Sequence, residues 1–384
     1  APPKRGLYIL RHVFHCHVSS MKEFLKLLKE NKQYMEIMQS LLAGKDCAVN
    51  GLWGSSANFF VAAIAGERLK ASKVRPKLLV VVPNIEEADE DMEDLNTFLP
   101  GHTSLFPAGE NIFADDFEDD VDIQAQRIHV LNQILHDDVH AKHNLDIIVA
   151  PIQALLQPVP SPRLISENIL RIQRNREYPL EELIAWLHDH HYRLTSQVEN
   201  AGEYALRGGI IDIFPFASDT PYRIEYFGDE IESIRKFNVE SQLSEQDLDT
   251  CQILALDKIY TANALSGESG KTSLLTYLRK DTWIVLKEPA SLETRVKAIW
   301  ASIDAEDSMS NLRKVSTDKQ VSPCNPCDKI FSQLSAFRKI ALSKLPVASN
   351  DGDYTFRVQS ADNFPQNIQE ITSELSKVIE TNAR

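Results

Sequence analysis

The sequence predicts an α/β protein, a parallel-sheet unit in two halves interrupted by a small α+β domain. Three observations carry this reading. The run from Leu78 to Val82 is continuously apolar and rich in valine, and Asp146-Ile-Ile-Val-Ala150 repeats the pattern. Strands of that kind are buried on both faces, as in a parallel sheet. Apolar residues at helical spacing lie between them, giving the strand–helix–strand alternation of a doubly wound fold. From Tyr204 to Phe237 the chain instead alternates in short strands, and after about residue 246 the α/β character returns.

The elements follow in order. Met21 to Leu42 has apolar positions near helical spacing, Cys47-Ala-Val is a short strand, and a Gly-containing turn at 51–54 leads into a helix from Ala57 to Leu69. The acidic stretch Glu86 to Asp94 alternates with Ala88, Met92 and Leu95, as the solvated face of a helix does. Ile123, Arg127, Val130, Leu131 and Ile134 outline another helix. Four prolines between Pro151 and Pro162 mark a boundary. Pro179 opens a helix with acid in its first turn. The strands Gly209–Phe214, Tyr222–Phe227 and Glu230–Arg235 then form an antiparallel sheet with one solvated face, turned at Pro215, Asp219 and Gly228-Asp229. Asp281 to Leu286 is a strand, Ser291 to Ile303 a helix, and Asp304 to Asn325 a polar loop. Phe356-Arg-Val begins a last segment ending in a helix from Asn367 to Glu380. The expected domains are an N-terminal segment, 1–20, available to pack on the C-terminal half; an α/β domain, 21–154; an insert, 155–245; and the second half of the α/β unit, 246–384.

Composition narrows the function. The 384 residues are 43% hydrophobic and 25% charged, ordinary for a globular protein with sizeable cores. No apolar run approaches the roughly 20 residues of a membrane span, and the start is a poor signal peptide, so a cytoplasmic setting is expected. A formal net charge of −14 speaks against non-specific duplex binding. Five cysteines make no disulfide scaffold. Cys324-Asn-Pro-Cys327 has the spacing of half a zinc site, which His12, His15, Cys16 and His17 would have to complete from afar. Two thiols in a polar loop is the favoured reading, and no metal is expected.

Gly51-Leu-Trp-Gly54-Ser55-Ser56-Ala57-Asn58 stands between a strand and a helix, where a phosphate-binding loop belongs. A working loop needs a lysine for the β and γ oxygens and a hydroxyl for Mg²⁺. In register, the lysine position is Ala57, the hydroxyl position Asn58, and the last loop glycine is Ser56. After the strand ending at Leu286, a motor ATPase places an Asp for Mg²⁺ followed by a catalytic Glu, and here the pair is Lys287-Glu288. The expectation is an inactive site with no bound cofactor and no catalytic residues.

Three stretches go beyond a generic fold: Gly202 to Pro215, Pro221 to Arg235, and Ile148 to Gln157. Together they resemble the UvrB-homology region at the N-terminus of bacterial transcription-repair coupling factors. The resemblance implies a helicase-like, P-loop-type unit in two halves with a small insert between them, as in domains 1a, 2 and 1b of UvrB. It implies that the insert docks onto the excision-repair ATPase UvrA, with the family's contact positions falling on Arg207, Arg223 and Phe227. Arginine forks pair with carboxylates and exposed aromatics anchor interfaces. Alternatives stay open: Arg223 as a cross-strand partner of an acid such as Glu232, and Phe227 as ordinary core.

The resemblance also implies a parent protein with RNA polymerase and double-stranded DNA as further partners, ATP and Mg²⁺ in translocase domains, and a C-terminal domain that masks the UvrA-binding face. The C-terminus, following a helix without a capping glycine, is consistent with truncation. UvrB's damage-threading hairpin has no room between Phe106 and Asp122. The competing function is a UvrB-like, nucleotide-dependent, damaged-DNA-binding helicase fragment.

Overall fold

The computed structural model describes residues 28, 30–71, 77–109, 121–135, 145–260, 270–311, 327–345, 353–356 and 358. The strands are β1 (Cys47–Asn50), β2 (Leu78–Val82), β3 (Thr103–Leu105), β4 (Ile147–Pro151), β5 (Val159–Pro160), β6 (Ile169–Gln173), β7 (Arg193–Leu194), β8 (Glu203–Arg207) and β9 (Ile210–Phe214). They continue as β10 (Tyr222–Phe227), β11 (Glu230–Phe237), β12 (Ser244–Leu248), β13 (Thr250–Leu254), β14 (Lys271–Thr272), β15 (Trp283–Lys287), β16 (Arg338–Ser343) and β17 (Asp353–Thr355).

Seven of these form one sheet in the order β17-β1-β16-β15-β2-β4-β3, with every neighbouring pair parallel. Strands from before residue 152 and after residue 282 interleave in it, so the α/β unit is closed by two distant pieces of chain. Every residue of β2 and β4 is buried. Helices therefore cover both faces, one with a core around Phe60, Ile64 and Leu95, the other around Ile128, Leu131 and Leu292.

The second sheet has six strands, β12-β11-β10-β9-β8-β7. It is antiparallel apart from β7, which pairs parallel with β8. Its inner face, with Ile211, Ile213, Ile224 and Ile234, packs on the helix Leu180–Asp189 and on β6 and β13. Strand β12 crosses the boundary expected at 245, and β13 returns to pair with β6.

Several expectations are corrected. Of the helix expected from Met21 to Leu42, residues 28 and 30 are helical, and Lys32–Leu42 forms a helix at whose start the Asn31 side chain accepts the Tyr34 N–H at 3.1 Å; residues 21–27 and 29 lie outside the described residues. The helix at Ser291 begins at Pro289 and runs to Asn311, so residues 304–311 are helical and not loop. Ala305, Glu306 and Met309 favour helix, and neither glycine nor proline interrupts residues 304–311. Cys327 lies in the helix Cys327–Leu334, and the last strand among the described residues is Asp353–Thr355, before Phe356. His12, His15, Cys16, His17, Cys324, most of the segment from Phe106 to Asp122, and the helix expected at 367–380 lie outside the described residues, as does the segment 1–20. No helix among the described residues is long and apolar enough to cross a membrane.

Candidate functional site

Two regions carry the residues singled out by sequence: the loop after β1, and the tip of the six-stranded sheet.

The loop after β1 leads into the helix Ser55–Ala71. Gly51 (φ 82°) and Gly54 (φ 53°) both take left-handed backbone. At Gly51 a Cβ would overlap the Phe356 carbonyl, because Phe356 N–H donates to Asn50 O at 2.9 Å as the chain leaves β17. The need for glycine at 51 thus comes from a neighbouring backbone. Around Gly54 nothing lies within 4 Å of such a Cβ. The N–H groups of Ser56 and Ala57 donate back to the carbonyls of Trp53 (3.2 Å) and Gly54 (3.4 Å), and Ser56 Oγ donates to Trp53 O at 2.6 Å. Two donors that a phosphate would use are already occupied. Ala57 is buried in the core.

Asn58 and Lys287, distant in sequence, meet through Asp91. Lys287 Nζ donates to both Asp91 carboxylate oxygens, at 2.6 and 2.7 Å, and to Asn58 Oδ1 at 3.1 Å. Asn58 Nδ2 donates to Asp91 Oδ1 at 2.8 Å and Asp94 Oδ2 at 3.0 Å. Lys287, Asp91 and Asn58 are all buried. Burial pushes the Asp91 carboxyl up, against the opposing pull of Lys287 and Asn58. Sequence reasoning placed the acid of residues 86–94 on a solvated face and missed Asp91. The signal was its phase: Ala88, Asp91 and Leu95 are the buried residues of the helix Ile85–Phe98. Glu288 has left-handed backbone (φ 50°), and its carboxylate accepts the Lys344 N–H at 2.7 Å, so it braces the turn between β15 and the helix Pro289–Asn311.

At the second region, β8 ends at Arg207 and β10 at Phe227, and the intervening turns bring both to the same end of the sheet. Arg207 pairs with Ile210 across β8–β9, and Ile210 with Glu225 across β9–β10. Tyr226 N–H donates to Gly209 O at 2.8 Å, and a Cβ at Gly209 would come within 3.1 Å of Tyr226 O. Gly208 and Gly228 take the left-handed backbone that the two tight turns demand. Arg207 is exposed, and Phe227 is 79% exposed, the most exposed large apolar side chain among the described residues.

Arg223 differs. Its Nε and Nη2 donate to the two oxygens of Asp212 at 2.7 and 2.8 Å, and its Nη1 to Gln242 O at 3.2 Å. The guanidinium lies over the Phe237 ring at 4.6 Å. Of the alternatives left open by sequence, the cross-strand one is observed, with Asp212 as the acid and not Glu232. Arg223 and Asp212 face each other in the β9–β10 register. Arg235 pairs with Glu225 on the same outer face. The carboxylate-binding fork of Arg223 is therefore filled from within the sheet, whereas Arg207 is exposed at the Phe227 end and has no side-chain partner among the described residues.

Comparison with known proteins finds a family match over the part of the chain that contains this second region. Residues 170–259 match the UvrB interaction domain family. The chain is similar to the transcription-repair-coupling factor of Bacillus subtilis (29% identity over 61% of this chain and 19% of the relative). It is also similar to those of Mycobacterium bovis (32%, over 46% and 14%) and Escherichia coli K12 (24%, over 66% and 21%). The resemblance to the N-terminal region of these factors holds, and the matched stretch spans about a fifth or less of each relative's length.

Proposed function

We propose that this chain is the UvrA-docking module of a transcription-repair coupling factor, recruiting UvrA to stalled RNA polymerase for transcription-coupled excision repair. The observation that carries the reading is Phe227, left 79% exposed at the same end of the six-stranded sheet as the exposed Arg207. A bare aromatic is unfavourable in water and suits an apolar socket on a partner, with an exposed guanidinium at the same end to select a carboxylate. The match to the UvrB interaction domain family, over residues 170–259, covers both residues. RNA polymerase, double-stranded DNA, ATP and Mg²⁺ belong, on this reading, to other parts of the parent protein.

The loop after β1 supports a module without ATPase activity of its own. Lys287, at the position where a motor ATPase carries its Mg²⁺-binding Asp, is held by Asp91, and Ala57, at the lysine position of the loop, offers no cation. Copurification with UvrA tests the proposal. Wild-type protein retains UvrA, and Arg207→Ala combined with Phe227→Ala does not. Retention by the folded double variant would remove the site from consideration.

A further inference from the structure

A cavity of about 480 Å³ lies at the opposite end of the seven-stranded sheet from the loop after β1, where β1, β15 and β16 begin. Its lining includes Arg68, Lys280, Asp281, Trp283 and Arg338. The guanidinium carbons of Arg68 and Arg338 lie 4.5 and 5.4 Å from the centre of the Trp283 ring, so two like charges share one indole. Burial lowers the Arg68 pKa, Asp281 opposes that, and Arg338 lowers it further.

The acids nearby do not balance these cations. Asp46 is taken by Lys339, whose N–H it accepts at 2.9 Å and whose Nζ it meets at 3.2 Å. The Asp281 carboxylate stands 4.0 Å from Arg68 Nη2, which donates to the Asp281 carbonyl instead. Neither the Arg338 nor the Lys280 side chain has a hydrogen-bonded or ionic partner among the described residues. The Nε atoms of Arg68 and Arg338 and the Nε1 of Trp283 are buried donors with no acceptor. Buried donors without acceptors are costly, and all three belong to residues that line this cavity together with the unpaired Arg338 and Lys280, which marks it as a place for an anion. This occurs in a chain with a net charge of −14, so no general surplus of base explains it.

We propose that this cavity is an oxyanion site for a phosphate-type group, held by the Arg338 and Arg68 guanidiniums over Trp283 with Lys280 at the rim. A guanidinium fork matches two phosphate oxygens, and a lysine adds a point charge. The cavity is large enough for pyrophosphate or for one phosphate of a larger compound. The site is remote from the loop after β1 and is independent of the docking proposal.

Calorimetric titration with inorganic pyrophosphate at constant ionic strength tests it, with Arg338→Gln and Lys280→Gln as variants. Arg338 is partly exposed and Lys280 exposed, so thermal melts near wild type are expected for both. Saturable binding is expected, weakened about tenfold or more by Arg338→Gln and less by Lys280→Gln. A short DNA duplex added as competitor identifies the source. Displacement of pyrophosphate assigns the group to a nucleic-acid backbone, and no displacement assigns it to a free phosphate compound. Absence of saturable binding, or equal affinity in wild type and both variants, would overturn the proposal. If Arg338→Gln fails to fold, Lys280→Gln alone decides.

Discussion

Lys287 Nζ lies 2.6 and 2.7 Å from the two carboxylate oxygens of Asp91, a buried ion pair between the end of β15 and the middle of the helix Ile85–Phe98. It joins two parts of the chain 196 residues apart. A pair of this kind contributes little net stability when both partners are present, but leaves an uncompensated charge when one is removed.

Lys287→Met is therefore expected to destabilise the protein by about 3–5 kcal/mol, and Asp91→Leu similarly. Lys287→Met combined with Asp91→Leu should cost far less than the sum of the single changes. Denaturant unfolding of the four proteins measures this. Additive losses would show that the pair does not act as a unit.

Arg223 and Arg207 should separate stability from surface function. Arg223→Ala leaves Asp212 buried without its partner and removes the contact over Phe237, a loss of about 2–4 kcal/mol. Arg207→Ala is a surface change and should stay within about 0.5 kcal/mol of wild type. Thermal melts distinguish the two, and equal destabilisation would contradict the assignment.

His129 ties the α/β unit to the turn after β9. Its Nε2 lies 3.0 Å from Asp219 Oδ1 and its Nδ1 2.9 Å from Ala217 O. Burial alone would lower its pKa, yet the Asp219 carboxylate and the Ala217 carbonyl more than offset this and raise it. A raised histidine stabilises fully below its unfolded value of about 6.5, and that stability is lost as pH rises through the higher folded value. The difference in stability between wild type and His129→Gln should shrink across that window. A pH-independent difference would contradict the charged state.

Glu203 works in the opposite sense. Burial would raise its carboxyl, but the N–H groups of Glu199 and Asn200, with Arg193, bring it down to about 2. Its stabilisation is present above the unfolded value of about 4.3 and is lost as pH falls toward 2. Glu203→Gln should be less stable than wild type at neutral pH, with the two converging in acid.

The parallel sheet was legible because buried strands must be apolar throughout, and Leu78–Val82 and Ile147–Ala150 leave no other reading. The hairpin tip was legible from the Gly228-Asp229 turn and the alternation of its strands. Partners brought together by tertiary register were not. Asp212 lies across a hairpin connection from Arg223, and only the β9–β10 alignment selects it over Glu232. Asp91 was hidden in an acidic run, where charge suggested solvent while phase indicated burial. Phe227 was ambiguous because a β-bulge between Glu225 and Tyr226 interrupts the alternation that decides its facing.

Calorimetric titration of UvrA into the wild-type chain and into Phe227→Ala tests the central claim most directly. The account predicts a saturable wild-type isotherm and a loss of about 2 kcal/mol or more, roughly thirtyfold in affinity, on truncating this one aromatic. Unchanged affinity in a folded Phe227→Ala protein would contradict it.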